Sequence, residues 1–436
     1  MVFSRGHGIA TGLPLPVALC AAMIAGAAQA DSSPYLTGNW DGLRDHLIAA
    51  GVHPRADYVG EPAYNASGGD EQAIRYADQL ALGATLDLQK LLGWAGGSFQ
   101  ITVTDRNGRS LSKDAQLHDL QQVQEVYGRG QTWRLTQMWL DQRFGGGWDW
   151  KLGRLPLDDD FASYGCDFMN LTFCGAQPGN LRGDYWFNWP VSQWGTRLKW
   201  TIANQIYVEA AAYQTNPNYL ALRYSINPDN PGGTTGALYP VEAAWLPRFG
   251  ADQLDGSYKL GAWYSTAASP DVYYDINYQP AAVTGAAPLI DNDSKGIYLN
   301  FMQRLTRAGG ADSLRGLKLF LNATKADRST SDTDYQIALS LVDTGPCPHR
   351  PADDLGLALG TTHVNSRVAD GQEQAQEANV SQSPVQTSEY VSEIYYSWHV
   401  MGWLVLRPNL QYVLHPGGSS AYSNEAVIGM KLLLAL

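Results

Sequence analysis

Beyond its first thirty residues, the 436-residue chain has no apolar run approaching the roughly 18 residues a membrane-crossing helix requires. That excludes a bundle of spanning helices. Basic charge is also short. Thirty Lys and Arg face 42 Asp and Glu, a formal net charge of −12, which argues against nucleic acid as a partner. Cysteine is limited to four residues, and no Cys/His spacing resembles a metal site. Catalytic signatures are missing too. There is no Gly-x-Ser-x-Gly elbow and no His-Glu-x-x-His, and the glycine-rich runs lack the Lys-Ser/Thr ending of a phosphate loop. No enzyme and no cofactor is expected.

What the chain does have is alternation. About sixteen segments place apolar residues at every second position, the pattern of a sheet with one apolar face. Leu80, Leu82, Ala84, Leu86 and Leu88 alternate with Gly83, Thr85, Asp87 and Gln89. Ile206, Val208, Ala210 and Ala212 alternate with Tyr207, Glu209, Ala211 and Tyr213. Leu355, Leu357 and Leu359 alternate with Gly356, Ala358 and Gly360, and Ile428 to Leu436 alternates with Gly429 and Lys431. The segments fall near 53–61, 76–89, 98–106, 132–144, 148–155, 194–202, 205–213 and 238–246. The rest fall near 257–266, 296–305, 316–325, 334–343, 354–363, 390–399, 402–413 and 426–436.

The gaps alternate as well. Short ones, such as Gly145-Gly146-Gly147, Ala203-Asn204 and Met401-Gly402, carry residues that tolerate positive φ. Long ones span roughly 107–131, 156–193, 214–237, 267–295 and 364–389. An even set of strands with tight turns on one rim and long loops on the other is the signature of a transmembrane antiparallel β-barrel. Charges keep to one parity because a lipid-facing Lys or Arg at mid-membrane costs roughly 2–4 kcal/mol. Mean hydropathy, −0.26, misses such a protein because the apolar face is diluted by alternation. The last segment reaches the chain end, so it is expected to close against the first. Trp and Tyr, 14 and 24 of them, suit membrane interfaces and sugar-stacking surfaces alike.

Residues 1–30 read as a secretory signal, with Arg5 and His7 ahead of an apolar stretch that ends in Ala28-Gln29-Ala30. Residues 31–52 are expected to form an N-terminal periplasmic segment with a short helix carrying Leu43, Leu47 and Ile48 on one side. The barrel is then expected over 53–436. Export permits a disulfide, and Cys166 with Cys174 would close a short loop, leaving Cys347 unpaired.

Ordered stretches carry a resemblance along nearly the whole length. They begin with Gly38-Asn39-Trp40-Asp41-Gly42-Leu43-Arg44 and Tyr58-Val59-Gly60-Glu61, then Leu86 to Trp94 and Thr102 to Gly108. Gly128 to Leu135, Asn188-Trp189-Pro190-Val191-Ser192-Gln193-Trp194, Arg407 to Tyr412 and His415-Pro416-Gly417-Gly418 follow. The chain resembles the carbohydrate-selective outer-membrane porins of the OprB family, departing from the usual opening at Asn39 and Asp41. The resemblance implies a sixteen-stranded barrel in the bacterial outer membrane, with inward-folded loops narrowing a pore for monosaccharides such as glucose. It is compatible with a monomer or a homotrimer surrounded by outer-membrane lipid.

Neutral sugars present hydroxyls and an apolar ring face, so a selective pore should set Arg and carboxylate groups against an aromatic platform. The resemblance implies a pore arginine at Arg106 and a sugar-stacking ring at Trp194. Arg109, Glu125 and Arg129 lie in the loop after Arg106 and are candidates to extend a polar ladder. Asp105 and Glu61 are candidates to orient the arginines. Arg197, Lys199, Glu393, Arg407 and Gln411 share the inner parity and are read as general lumen polarity. Arg134 shares the parity of Met138 and Leu140, which places it at a strand end near the head groups. Asp158-Asp159-Asp160 reads as a solvated turn or a weak divalent-ion site rather than a glycosidase pair. A general or ion-selective porin, an exported sugar-binding or sugar-cleaving β protein, and an adhesin barrel are the alternatives.

Overall fold

The computed structural model describes residues 33–310 and 313–436; the expected signal sequence at 1–30 lies outside them. Sixteen antiparallel strands close on themselves. They are β1 (Val52–Ser67), β2 (Ile74–Asp87), β3 (Gly97–Gly108), β4 (Trp133–Arg143), β5 (Trp148–Leu155), β6 (Gln193–Ala203), β7 (Ile206–Thr215) and β8 (Gly236–Trp245). The second half holds β9 (Leu254–Ser265), β10 (Ser294–Arg304), β11 (Gly316–Ala326), β12 (Thr333–Thr344), β13 (Asp354–Val364), β14 (Ser388–Met401), β15 (Leu404–Leu414) and β16 (Glu425–Ala435). Each strand pairs with its neighbours in sequence, and β1 pairs with β16, with Tyr58 opposite Leu434. The sheet counts a seventeenth member only because Arg248–Phe249 pairs briefly with Leu254–Asp255 in the turn before β9. Closure leaves no open edge of backbone donors and acceptors, which a bilayer would penalise.

All sixteen expected segments coincide with these strands. Leu82, Ile101, Val241, Leu260, Ile297, Leu357, Leu410 and Ile428 stand exposed on the outer face. Their neighbours Gln100, Thr102, Thr104 and Arg106 point inward and are buried. Outward aromatic rings form two belts. Trp148, Trp150, Trp200 and Trp245 lie beside the short turns; Tyr76, Trp133, Tyr239, Tyr264, Tyr390 and Tyr412 lie beside the long loops. Rings at these two levels are what a bilayer's interfaces select.

Below the barrel a helix, α1 (Leu43–Ala50), packs on β1. Arg44 lies between the Tyr35 and Trp40 rings and donates to the Leu436 carbonyl at 2.9 Å. Buried Arg44, not an apolar stripe, fastens this segment to the barrel's seam.

The lumen is not evenly filled. Loop 156–192 folds inward and packs an apolar mass of Leu157, Phe161, Tyr185 and Trp186 against Tyr213, Leu238, Trp263 and Tyr298 of the wall. The inner face of this half is therefore apolar in part, a feature hidden from parity because the loop supplies the matching surface. Loop 109–132 folds in beside it and is tied to it by Glu125 N–H to Met169 O at 3.0 Å and Leu171 N–H to Gln122 O at 3.0 Å.

One parity expectation fails for a local reason. The β3–β4 register shifts between Thr102/Gln137 and Val103/Leu135, so Thr136 is an extra residue. Such a bulge reverses the facing of the residues on one side of it relative to those on the other. Arg134 thus comes opposite inward Thr104, is 2% exposed, and donates to the carbonyls of Arg129, Tyr219 and Leu220. It braces loops at the outer rim and does not sit among head groups.

Candidate functional site

With one side of the barrel packed, an open cavity of about 850 Å³ remains along β1, β2, β3 and β16. Its size falls in the range of small-molecule sites. Arg55 and Val59 of β1, Gln79 of β2, Arg106 of β3, and Lys431 and Leu433 of β16 form the wall. Loop residues including Asp119, Glu125, Arg129, Asp158 and Trp189 face them.

The wall residues are there by parity and register. Val59 stands opposite Gln79, and Gln79 opposite Arg106, so three adjacent strands present these side chains to the same face. Arg106 Nε donates to Gln79 Oε1 at 2.9 Å, and the Trp189 indole N–H donates to the same oxygen at 2.9 Å. Arg55 lies 5.3 Å from the Trp189 ring centroid. A guanidinium, an amide and an aromatic ring thus form one hydrogen-bonded unit beside open space.

Behind it sits a buried charge cluster. Lys431 Nζ lies 2.8 Å from Glu125 Oε1 and 3.4 Å from Glu61 Oε1. Arg106 approaches the other Glu125 oxygen at 3.9 Å. Glu61 also accepts from Val126 N–H at 3.2 Å. Burying four charges costs several kcal/mol per ion unless each is paired, and here every one faces an opposite charge. Arg129 stands across the cavity, donating to Gly183 O at 3.0 Å; burial and the Arg106 charge depress its pKa.

The inward loop adds carboxyl groups. Asp158 accepts the Trp189 backbone N–H at 2.9 Å, and burial, helped by Asp159, pushes its pKa up to about 7. Asp159 accepts from Gln137 at 2.5 Å, and Asp160 binds Lys151 at 2.6 Å. The three acids are therefore neither a solvated turn nor a cation site. One faces the cavity and two fasten the loop to the wall, because the loop turns into the barrel instead of outward.

The candidate residues separate cleanly. Arg106, Glu125 and Arg129 line the cavity, and Glu61 stands just behind it. Arg109 is exposed at the rim, paired with Asp114 at 2.6 Å. Asp105 takes the outward parity, opposite Leu80, and accepts from Asn107 at 2.7 Å. Trp194 is absent from the cavity. Gln193 and Arg197 point inward, so Trp194 takes the other parity and packs on the Phe187, Val191 and Tyr219 cluster. The ring beside Arg106 is Trp189, five residues earlier. Gln79, Lys431 and Arg55 were missed as well, and Asp158 was singled out only as a loop acid; the available signal was inner parity, clearest for Lys431 as a lysine on the last strand.

The wall's other polar residues hold the loops. Glu393 accepts from Met169 N–H and Asn170 N–H, both at 2.8 Å. Gln411 accepts from Asn170 and donates to Val123 O, and Arg407 donates to Asp167 O. Cys166 and Cys174 form a disulfide at the cavity edge, as expected from their spacing. Cys347, expected to be unpaired, is not a free thiol either. Glu125 lies within 4.8 Å of both bridged sulfurs, which as a disulfide offer no thiolate to a metal.

Comparison with known proteins agrees with this geometry. The profile described as carbohydrate-selective porin, OprB family, matches residues 71–436. The chain is 43% identical over 422 residues to Porin B of Pseudomonas aeruginosa, covering 94% of this chain and 92% of that protein. It is 33% identical over 419 residues to the putative porin QuiX of Acinetobacter baylyi, covering 92% of each. Its fold matches the high-pH structure of Pseudomonas putida OprB with a TM-score of 0.89 at 42% identity, covering 94% of this chain and all of that one. A closed barrel with a polar, loop-narrowed lumen belongs in the bacterial outer membrane, and this chain belongs to the OprB family of carbohydrate-selective porins.

Proposed function

We propose that this pore passes monosaccharides such as glucose by passive diffusion, and that they dwell at the cavity wall formed by Arg106, Gln79 and Trp189, with Glu125 and Arg129 completing the contacts. The observation that carries the reading is the shared Gln79 oxygen, which sets a guanidinium and an indole ring side by side at open space. A sugar's hydroxyls suit the first and its C–H face the second. Dwell must be short, because conduction needs easy entry and easy exit. Replacing Arg106 by Ala should lower glucose flux into liposomes severalfold; unchanged flux and selectivity would remove that residue from the mechanism.

A second reading, an anion-preferring pore, has its own support. Five cations line the cavity (Arg55, Arg106, Lys113, Arg129 and Lys431) against three acids (Asp119, Glu125 and Asp158). The lining is thus basic although the whole chain is acidic. Adding glucose to a single-channel recording separates the two. A sugar pore shows partial block of the current, and a plain anion pore shows none.

A further inference from the structure

We propose that Gln79 is a specificity-determining residue of the pore: its carbonyl oxygen fixes Arg106 and Trp189, and its amide group donates a hydrogen bond to a sugar hydroxyl. This rests on the reading that sugars dwell at that wall.

The orientation of the amide follows from its partners. A guanidinium N–H and an indole N–H can only donate, so the Gln79 atom that meets both must be the oxygen. The NH2 group then points the other way. Gln79 lines the cavity and is only partly buried, so that group faces the space a solute occupies.

The position is also fixed from both sides. Gln79 lies opposite Val59 on β1 and opposite Arg106 on β3, in a central strand of closed sheet. Arg106 Nη1 is held separately by the Glu125 carbonyl at 3.4 Å. An acceptor used twice on one side and a donor pair on the other gives the wall a fixed polarity: donors from Arg106 and Gln79 point to the solute beside an apolar ring. Hydroxyl oxygens of a sugar accept from both.

Two substitutions and a ligand series test this. Gln79→Glu keeps an oxygen for Arg106 and Trp189 and removes the donor; Gln79→Met removes both. Intact barrels are identified by native strand content in circular dichroism and by the formation of open channels in potassium chloride, whatever their conductance. The probe is block of that current by glucose and by each monodeoxyglucose. In the unsubstituted protein, deleting one particular hydroxyl should weaken block about three- to tenfold, the value of one neutral hydrogen bond. In Gln79→Met, which offers that hydroxyl neither donor nor acceptor, the same deletion should cost nothing further, whereas in Gln79→Glu the hydroxyl can donate to the carboxylate and its deletion should still cost. Gln79→Met should also weaken block by glucose itself, having lost the ring and guanidinium anchor. Parallel losses in Gln79→Met and the unsubstituted protein, for every deoxyglucose, would overturn the proposal. If Arg106→Ala leaves glucose block unaltered, the wall itself is not the sugar's dwelling place and the underlying reading fails. If Arg106→Ala weakens block while both Gln79 variants are neutral, only the role of Gln79 falls.

Discussion

Lys431 on the closing strand and Glu125 on an inward loop lie 2.8 Å apart, joining positions 306 residues distant in sequence. The same ammonium donates to the carbonyls of Cys166 at 2.9 Å and Phe168 at 3.2 Å. One buried cation therefore pins both inward loops to the wall, and through Glu125 it backs Arg106. Lys431→Met leaves Glu61 buried without its cation and Glu125 with Arg106 alone at 3.9 Å, a loss of about 3–5 kcal/mol. The expected result is lower stability to urea together with a wider and less sugar-selective pore in single-channel recordings. Unchanged conductance and unchanged unfolding would deny Lys431 this role.

The aromatic platform is assigned to Trp189 and not to Trp194, and the two can be told apart directly. Trp189→Ala should weaken glucose block severalfold, since stacking of this kind contributes on the order of 1 kcal/mol. Trp194→Ala removes a ring from the Phe187–Tyr219 cluster and should leave glucose block unchanged while lowering stability. Equal effects on block would contradict the assignment.

Charge selectivity should depend on pH through Asp158, which sits in the inward loop and not in a strand. Burial raises its pKa to about 7, so its proton is retained below that value and lost above it. As pH falls through about 7 the lining loses a negative charge beside Arg106 and Arg129, and anion preference should increase. Reversal potentials in a salt gradient measure this. Asp119 lines the same cavity and is also raised to about 7 by burial. Asp158→Asn should therefore reduce the pH dependence and the double variant with Asp119→Asn should abolish it, while a pH-independent wild-type potential would refute the prediction.

The Cys166–Cys174 bridge closes a loop with a sequence separation of 8 at the cavity edge. Loop-closure entropy gives a bridge of this span about 2–3 kcal/mol. A Cys166→Ser, Cys174→Ser double variant should form a barrel of normal strand content with lower stability and noisier open-channel current. Identical noise and midpoint of unfolding would show that Glu125, Glu393 and Lys431 hold the loop without it.

How far the sequence reached is clear from particular residues. Strand positions, the lipid-facing parity and the alternation of turns and loops were legible, because each follows from a period of two along a single segment. Arg106 was singled out by the family resemblance, its inner parity agreeing with it. Arg134 was misplaced because one bulge at Thr136 shifts the parity, and no composition signal marks it. Trp189 and Asp158 were invisible as cavity residues because their position depends on a 37-residue loop turning inward, held by Glu393, Gln411 and Arg407 on distant strands. Gln79 is an ordinary inner-parity glutamine until two obligate donors are found at its oxygen.

The central claim is that this lumen distinguishes sugars from other solutes of their size. Liposome swelling with purified protein tests it most directly, comparing glucose, other monosaccharides, a disaccharide and an uncharged amino acid near glucose in size. The account predicts rapid entry of glucose and related monosaccharides, with the amino acid and disaccharide markedly slower. Rates that simply track solute size would contradict it.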